Sequence, residues 1–309
     1  MSGAVTRAAL VGLGTMGPGI AAALGRGGVA VTATDTLPTA LERAEAMLPI
    51  ARGALDALGR TGEDAAVRFT PSLAEAVEGA DIVIENVPED VAIKTALYGA
   101  IEALVPPETL IVSDTSGIPI SDLQVGLAHP ERMAGMHWSN PPHIVPMIEV
   151  IGGKATAPAT LAAVSALVSA IGYLPVRVKK DVPGFVENRI LYAIMREALD
   201  LVDAGVVEAD ALDTCVSWGI GYKLAVVGPM ALLDMAGLDI YRSVASFLNK
   251  ELSDRKDVAP LIEERFAAGK LGLKTEEGLK AYASGEVARL TGERAKRLIA
   301  VRRALEGTA

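Results

Sequence analysis

The chain has 309 residues, half of them hydrophobic and 22% charged, with a formal charge of −9. That length and composition suit two packed domains, and they exclude a disordered chain. The acidic balance, without a basic stripe, argues against a nucleic-acid partner but leaves room for a small anion held by backbone N–H groups.

A single cysteine, Cys215, excludes an intrachain disulfide and a cysteine-built zinc site, and no metal is expected. Cys215 itself reads as a small buried hydrophobe. No apolar run reaches the roughly 20 residues a membrane span needs, so no membrane partner is expected. Residues 1–10 do not read as a signal peptide, which points to the cytoplasm.

The predicted elements alternate from the start. Ala8–Gly12 is a short apolar strand. A glycine-rich turn and a helix follow within GLGTMGPGIAAALGRGG, Gly12 to Gly28, and a second strand, Val29–Ala33, ends near Asp35. Residues 39–59 read as helix, Ala80–Glu85 as strand, Asp90–Leu104 as helix and Thr109–Ser113 as strand. Arg132–His137 and Met147–Ile151 are two more strands. Apolar strands without polar alternation indicate a parallel sheet covered on both faces. The fold class expected is an α/β, Rossmann-type doubly wound N-terminal domain. After Pro183–Gly184 the spacing turns helical, over 185–204, 208–218, 229–248 and 258–268. The expected division is therefore 1–182, a nucleotide-binding domain, and 183–309, an all-α domain for substrate and dimerisation.

Gly12-x-Gly14-x-x-Gly17 between strand and helix is a dinucleotide fingerprint. Gly12 permits the tight turn, Gly14 lets a pyrophosphate approach the backbone, and Gly17 lets helix and strand pack closely. Thr15 and Met16 complete the loop. The N–H groups that open the helix face the phosphates. Asp35 follows Gly17 by 18 residues and suits the ribose hydroxyls. Its charge would repel a 2′-phosphate and no arginine is adjacent, so the cofactor expected is NAD rather than NADP.

MHWSNPPHIVPMIEV, Met136 to Val150, holds His137 and Glu149 in a proline-dense run. Taken alone, the pair reads equally well as a buried histidine and an unrelated carboxylate. With NAD assumed, hydride transfer from a carbon bearing OH leaves a proton to remove, and histidine titrates in the right range. A carboxylate on its other nitrogen would orient it.

The chain resembles the L-3-hydroxyacyl-CoA dehydrogenase family along nearly its full length. The matching motifs are GLGTMGPGIA, ENVPEDVAIK (85–94), SDTSG (113–117), HWSNP (137–141), Glu149, VPGFVENR (182–189) and GPMALLDMAGLD (228–239). The resemblance implies that His137 is the general base and Glu149 its partner. It implies that Ser116 and Asn188 hold the substrate oxygen and the surroundings of the histidine. It places Glu89, Lys94 and Asn140 on the cofactor side, and it loosely matches Lys274 to a late family lysine. A hydrophobic helical half attached to an α/β half is often a dimerisation domain, so a homodimer joined through that half is expected.

Several positions depart from the family pattern. Asp114 stands where the family usually has Asn. The Asn140-Pro141-Pro142 run, and the spacing of GIGYKLAVVGP (219–229), are similar to family branches that act on CoA-free substrates. No lysine lies in 38–66 to meet a CoA phosphate. The expected reaction is thus NAD-dependent hydride transfer from a small, CoA-free carboxylate. Lys223 and Arg189 are the candidate cations for it, and His143 and Trp138 are candidate ligand contacts. The alternatives are an acyl-CoA dehydrogenase of the same family and a nucleotide-binding structural protein without turnover.

Overall fold

The structure, a computed structural model, describes residues 4–307. Contacts divide the chain into two units. One runs through Asn188 and includes Leu298–Arg302; the other runs from Arg189 to Arg297 and resumes at Arg303.

The first unit is a sheet of eight strands: β1 (Arg7–Val11), β2 (Ala30–Thr34), β3 (Val67–Thr70), β4 (Ile82–Glu85), β5 (Leu110–Ser113), β6 (Met133–Trp138), β7 (Met147–Gly152) and β8 (Leu174–Val178). The order is β3-β2-β1-β4-β5-β6-β7-β8, parallel except where β6 and β7 run antiparallel. Six of these strands fall where the apolar runs predict them. The two extra ones, β3 and β8, lie at the sheet edges. VRFT and LPVRV carry an arginine each, and LPVRV a proline, which blunt an edge strand and hide it from a search for apolar runs.

Helices α1 (Gly17–Arg26), α2 (Pro38–Ala57), α3 (Leu73–Val77), α4 (Val91–Glu102), α5 (Ile120–Leu123) and α6 (Pro158–Ala170) cover the sheet. Side chains alternate across a strand, so each strand feeds two cores. Ala8, Leu10, Ala134, Met136 and Trp138 join α1, α2 and α6 on one face. Ala9, Val11, Val83, Ile111 and Met133 join Tyr98 and Ile101 of α4 and Ile120 and Leu123 of α5 on the other.

The second unit contains most of α7 (Glu187–Asp203), then α8 (Ala209–Cys215), a π-helical stretch at Val216–Gly221, α9 (Tyr222–Val226), α10 (Pro229–Ala236), α11 (Leu238–Leu248), α12 (Pro260–Ala267) and most of α13 (Glu286–Glu306). The single helix expected over 229–248 is two, because Gly237 breaks it with φ +96°. None of α7 to α12 buries a residue fully. Trp218, Met230 and Met235 are 70–75% exposed. Cys215, expected to be buried, is exposed for the same reason: its helix has no core of its own to enter. No single described helix is long and apolar enough to cross a membrane.

Candidate active site

The strand order reverses between β1 and β4, and there the carboxyl ends of two strands open a crevice. The fingerprint loop lies at that point. Gly12 has φ +99°, and a Cβ on it would stand 2.5 Å from the carbonyl oxygen of Asn86. A Cβ on Gly17 would meet the Gly12 carbonyl at 2.9 Å, so loop and helix touch there. Gly14 is different: a Cβ there would meet nothing within 4 Å. The protein does not need that glycine for its own packing; a ligand approaching the backbone does. Helix α1 opens with no side-chain cap, leaving its N–H groups for an anion. Thr15 is exposed and Met16 half-buried on the same loop.

Asp35 stands just past β2. Its carboxylate accepts the Leu13 N–H at 2.8 Å and the Leu37 N–H at 2.9 Å, which ties it to the loop. Two more lone pairs remain for ribose hydroxyls. These residues fit NAD. Gly12→Ala is expected to forfeit both loop geometry and cofactor binding. The added methyl strikes backbone, and a positive φ costs a further ~1 kcal/mol or more. Calorimetric titration with NAD should show no binding at concentrations that saturate the unmodified chain.

The base is built by sheet register. In the antiparallel pair β6–β7, His137 lies directly opposite Glu149. Residues 12 apart in sequence thus become cross-strand neighbours on one face. His137 Nδ1 donates to Glu149 Oε2 at 2.8 Å, with both side chains buried. The ionised carboxylate only accepts, so Nδ1 carries the hydrogen and Nε2 keeps its lone pair.

Glu149 Oε1 accepts the N–H groups of Val186 at 2.9 Å and Glu187 at 3.1 Å. The turn before α7 delivers these donors. Gly184 and Phe185 both have positive φ, and Phe185 is buried with its ring 5.9 Å from that of His137. Burial alone would raise the Glu149 pKa. The His137 bond and the two backbone donors outweigh it and hold the carboxyl below its ordinary range. For His137, burial favours the neutral ring, but the Glu149 bond and the charges of Asp114, Glu149 and Glu187 outweigh it and raise the pKa.

Asp114 follows β5 and is buried. Its Oδ1 accepts the Trp138 N–H at 2.7 Å. Burial pushes its pKa up to about 8, against the pull of that bond and of His137. The turn beyond it carries Ser116, which is exposed. Glu89 shapes this turn: one oxygen accepts the Thr115 hydroxyl at 2.6 Å and the N–H groups of Ser116 and Gly117 at 3.0 and 3.1 Å. The Asn188 side-chain amide donates to the Ser116 carbonyl at 2.7 Å. Ser116, Asn188, His137 and Glu149 thus belong to one connected set of bonds, through the turn at 184–188.

Three expected contacts are placed otherwise. Lys94 is 1% exposed and pairs with Glu85 at 2.7 Å, with Glu89 3.5 Å away. It supports the turn from beneath rather than facing a cofactor. Glu85 also accepts from Ser113 at 2.7 Å and from the Tyr98 hydroxyl. This buried network has a sequence trace only in retrospect, an acid ending an apolar strand with lysine nine residues on. Trp138 is the neighbour of His137 in the strand and so points to the opposite face. There it is 2% exposed and stacks edge-on against Tyr173, which gives it a place in the core and not in a ligand wall. His143 packs on α1, where a Cβ on Gly19 would stand 2.6 Å from its Nδ1. Burial lowers its pKa, and its position is that of a spacer against the fingerprint helix. Asn140 is exposed in the loop between β6 and β7. Arg189, Lys223 and Lys274 belong to the helical unit and are exposed.

A dinucleotide loop at the switch point and a carboxylate-oriented histidine define an NAD-dependent dehydrogenase. Residues 7–182 match the family model described as 3-hydroxyacyl-CoA dehydrogenase, NAD binding domain, and residues 184–282 match that of the C-terminal domain. The chain belongs to the 3-hydroxyacyl-CoA dehydrogenase family. It is 60% identical over 302 residues to 5-formyl-3-hydroxy-2-methylpyridine 4-carboxylate 5-dehydrogenase of Mesorhizobium japonicum, covering 97% of this chain and 98% of that one. A crystal structure of an enzyme of that name, described as an NAD+ dependent dismutase, superposes with a TM-score of 0.96 at 59% identity, over 98% of this chain and 99% of that one. An L-carnitine dehydrogenase of Nocardiopsis dassonvillei is 34% identical over 98% of this chain and 92% of its own length.

Proposed function

We propose that the chain oxidises the formyl group of 5-formyl-3-hydroxy-2-methylpyridine 4-carboxylate to the dicarboxylate, with His137 as general base. The carrying observation is the His137–Glu149 pair, set in a chain 60% identical, nearly end to end, to an enzyme named for that substrate. Bound NAD supplies the hydride acceptor. Gly12, Gly14, Thr15, Met16, Gly17 and Asp35 hold it, with Asn140 at the nicotinamide side.

In this reading His137 Nε2 takes the proton released as hydride leaves the substrate carbon. Glu149 fixes the tautomer and stabilises the imidazolium. Ser116 and Asn188 steady the substrate oxygens. Lys223 and Arg189 are the cations proposed for the substrate carboxylate.

The test is NADH formation across a panel of the pyridine aldehyde, gulonate, carnitine and 3-hydroxybutyryl-CoA. The aldehyde should be turned over with the highest kcat/KM. Faster turnover of the CoA thioester would favour the acyl-CoA reading, and no turnover with any substrate would favour the structural one.

The division into a cofactor half, 1–182, and a substrate and dimerisation half, 183–309, is part of the same proposal. Helices α7 to α12 have no fully buried residue, and a unit without a core needs a partner to form one. We assign that partner to a second copy of the chain. Sedimentation equilibrium should find a dimer at micromolar concentration. A folded monomer there would refute the assignment.

A further inference from the structure

Oxidising an aldehyde to a carboxylate releases two protons, one from the water that adds and one from the hydrate. His137 has one free lone pair and accepts one of them. Three carboxyl groups surround it. Glu149 is filled by the His137 ring and two backbone N–H groups. Asp114 is buried, spends Oδ1 on the Trp138 N–H, and holds its own proton up to about pH 8. Glu187 remains. Its Oε1 accepts the Ser139 hydroxyl at 2.6 Å, while its Oε2 is buried without a hydrogen-bond partner. A nitrogen of His137 and carboxylate oxygens of Glu149 and Glu187 all lie within 4.8 Å of one another.

The geometry points to Glu187 as a second catalytic base, the one that takes the proton of the attacking water. This rests on the aldehyde reading above. Water oxygen bonds to the formyl carbon, the C=O π pair moves onto oxygen, and Glu187 Oε2 receives a water proton. The hydrate anion then re-forms C=O as hydride leaves for NAD, which is reduced to NADH. The carboxylic acid so formed gives its proton to His137 Nε2. One aldehyde, one water and one NAD become one carboxylate, one NADH and two protons, held at Glu187 and His137.

The reverse use of the same aldehyde, its reduction by NADH to the alcohol, adds no water and needs a single proton, from His137. The two directions therefore separate the two bases. Glu187→Gln keeps the size of the side chain and an oxygen for Ser139. It is expected to lower aldehyde oxidation about 100-fold while leaving aldehyde reduction within about threefold. In the cofactor-free protein, NMR titration should show the His137 ring losing its proton at lower pH in the variant, since the facing charge of Glu187 is gone while that of Glu149 stays. A parallel loss in both directions, or oxidation left unchanged, overturns the role of Glu187. Unmodified protein that turns the aldehyde over in neither direction overturns the substrate reading itself, and this inference with it.

Discussion

Replacing His137 with glutamine is expected to lower kcat about 1,000-fold, within the range a positioned general base contributes, with NAD affinity unchanged. The cofactor loop lies at the ends of β1 and β2, whereas His137 sits on β6, so binding and proton transfer are separable. Stopped-flow absorbance of NADH and calorimetric titration of NAD measure the two. Comparable losses in both would remove His137 from the base role. The companion change, Glu149→Gln, is predicted from donor counting. The carboxylate accepts from three donors with its two oxygens, and an amide has one oxygen. If the amide turns its NH2 to the ring, Nδ1 must accept, and Nε2 then carries the hydrogen. If it turns NH2 to the backbone, two buried N–H groups lose their partner. Either way catalysis falls, by about 10- to 100-fold. His137 has a raised pKa in the unmodified chain, so kcat/KM for oxidation rises with pH as that proton leaves. In Glu149→Gln this limb moves to lower pH.

The second large effect concerns stability. Asp114→Asn is expected to raise the melting temperature at pH 8–9 and to lose that advantage toward pH 4. The Asp114 carboxyl titrates at about 8 in the folded chain, against 3.8 for the ordinary group. Between those values the folded chain keeps a proton that the unfolded chain has released, so stability falls as pH rises across the window and levels off above it. A neutral amide does not titrate, and it keeps an oxygen for the Trp138 N–H. At about 1.4 kcal/mol for each pH unit, the gain is of the order of a few kcal/mol. Scanning calorimetry from pH 4 to 9 on both proteins reads it directly. A melting-temperature difference that does not change with pH would mean that Asp114 is not titrating where its burial places it. The exchange has a functional side as well. Above about pH 8, where Asp114 ionises, its charge stands beside His137 and favours the charged ring, and the amide removes that contribution.

The Asp114 position is instructive about what a sequence carries. The resemblance marks it as a departure from Asn, but only burial turns that departure into a titration near pH 8. The fingerprint glycines, Asp35, and the alternation of apolar runs with helices were legible because they depend on local geometry. A positive φ at Gly12, an acid at a strand end and a period-two core are written in consecutive residues. The edge strands β3 and β8 were not, because an edge strand tolerates charge and proline and so loses the apolar signature.

The base followed a different route. The sequence by itself determined that His137 and Glu149 were of the right types, on adjacent predicted strands and in a family-like context. The antiparallel register of β6 and β7 decided that they face each other, and the 184–188 turn decided that Glu149 is held by backbone donors as well. The same register removed Trp138 from the ligand, since neighbouring strand residues point to opposite faces. It is also tertiary structure that brings Glu187, a residue indistinguishable in sequence from any acid opening a helix, to the side of the base. Strand periodicity is a local property and can be read along the chain; which carboxylate neighbours which ring depends on contacts between distant segments, and only the fold makes those.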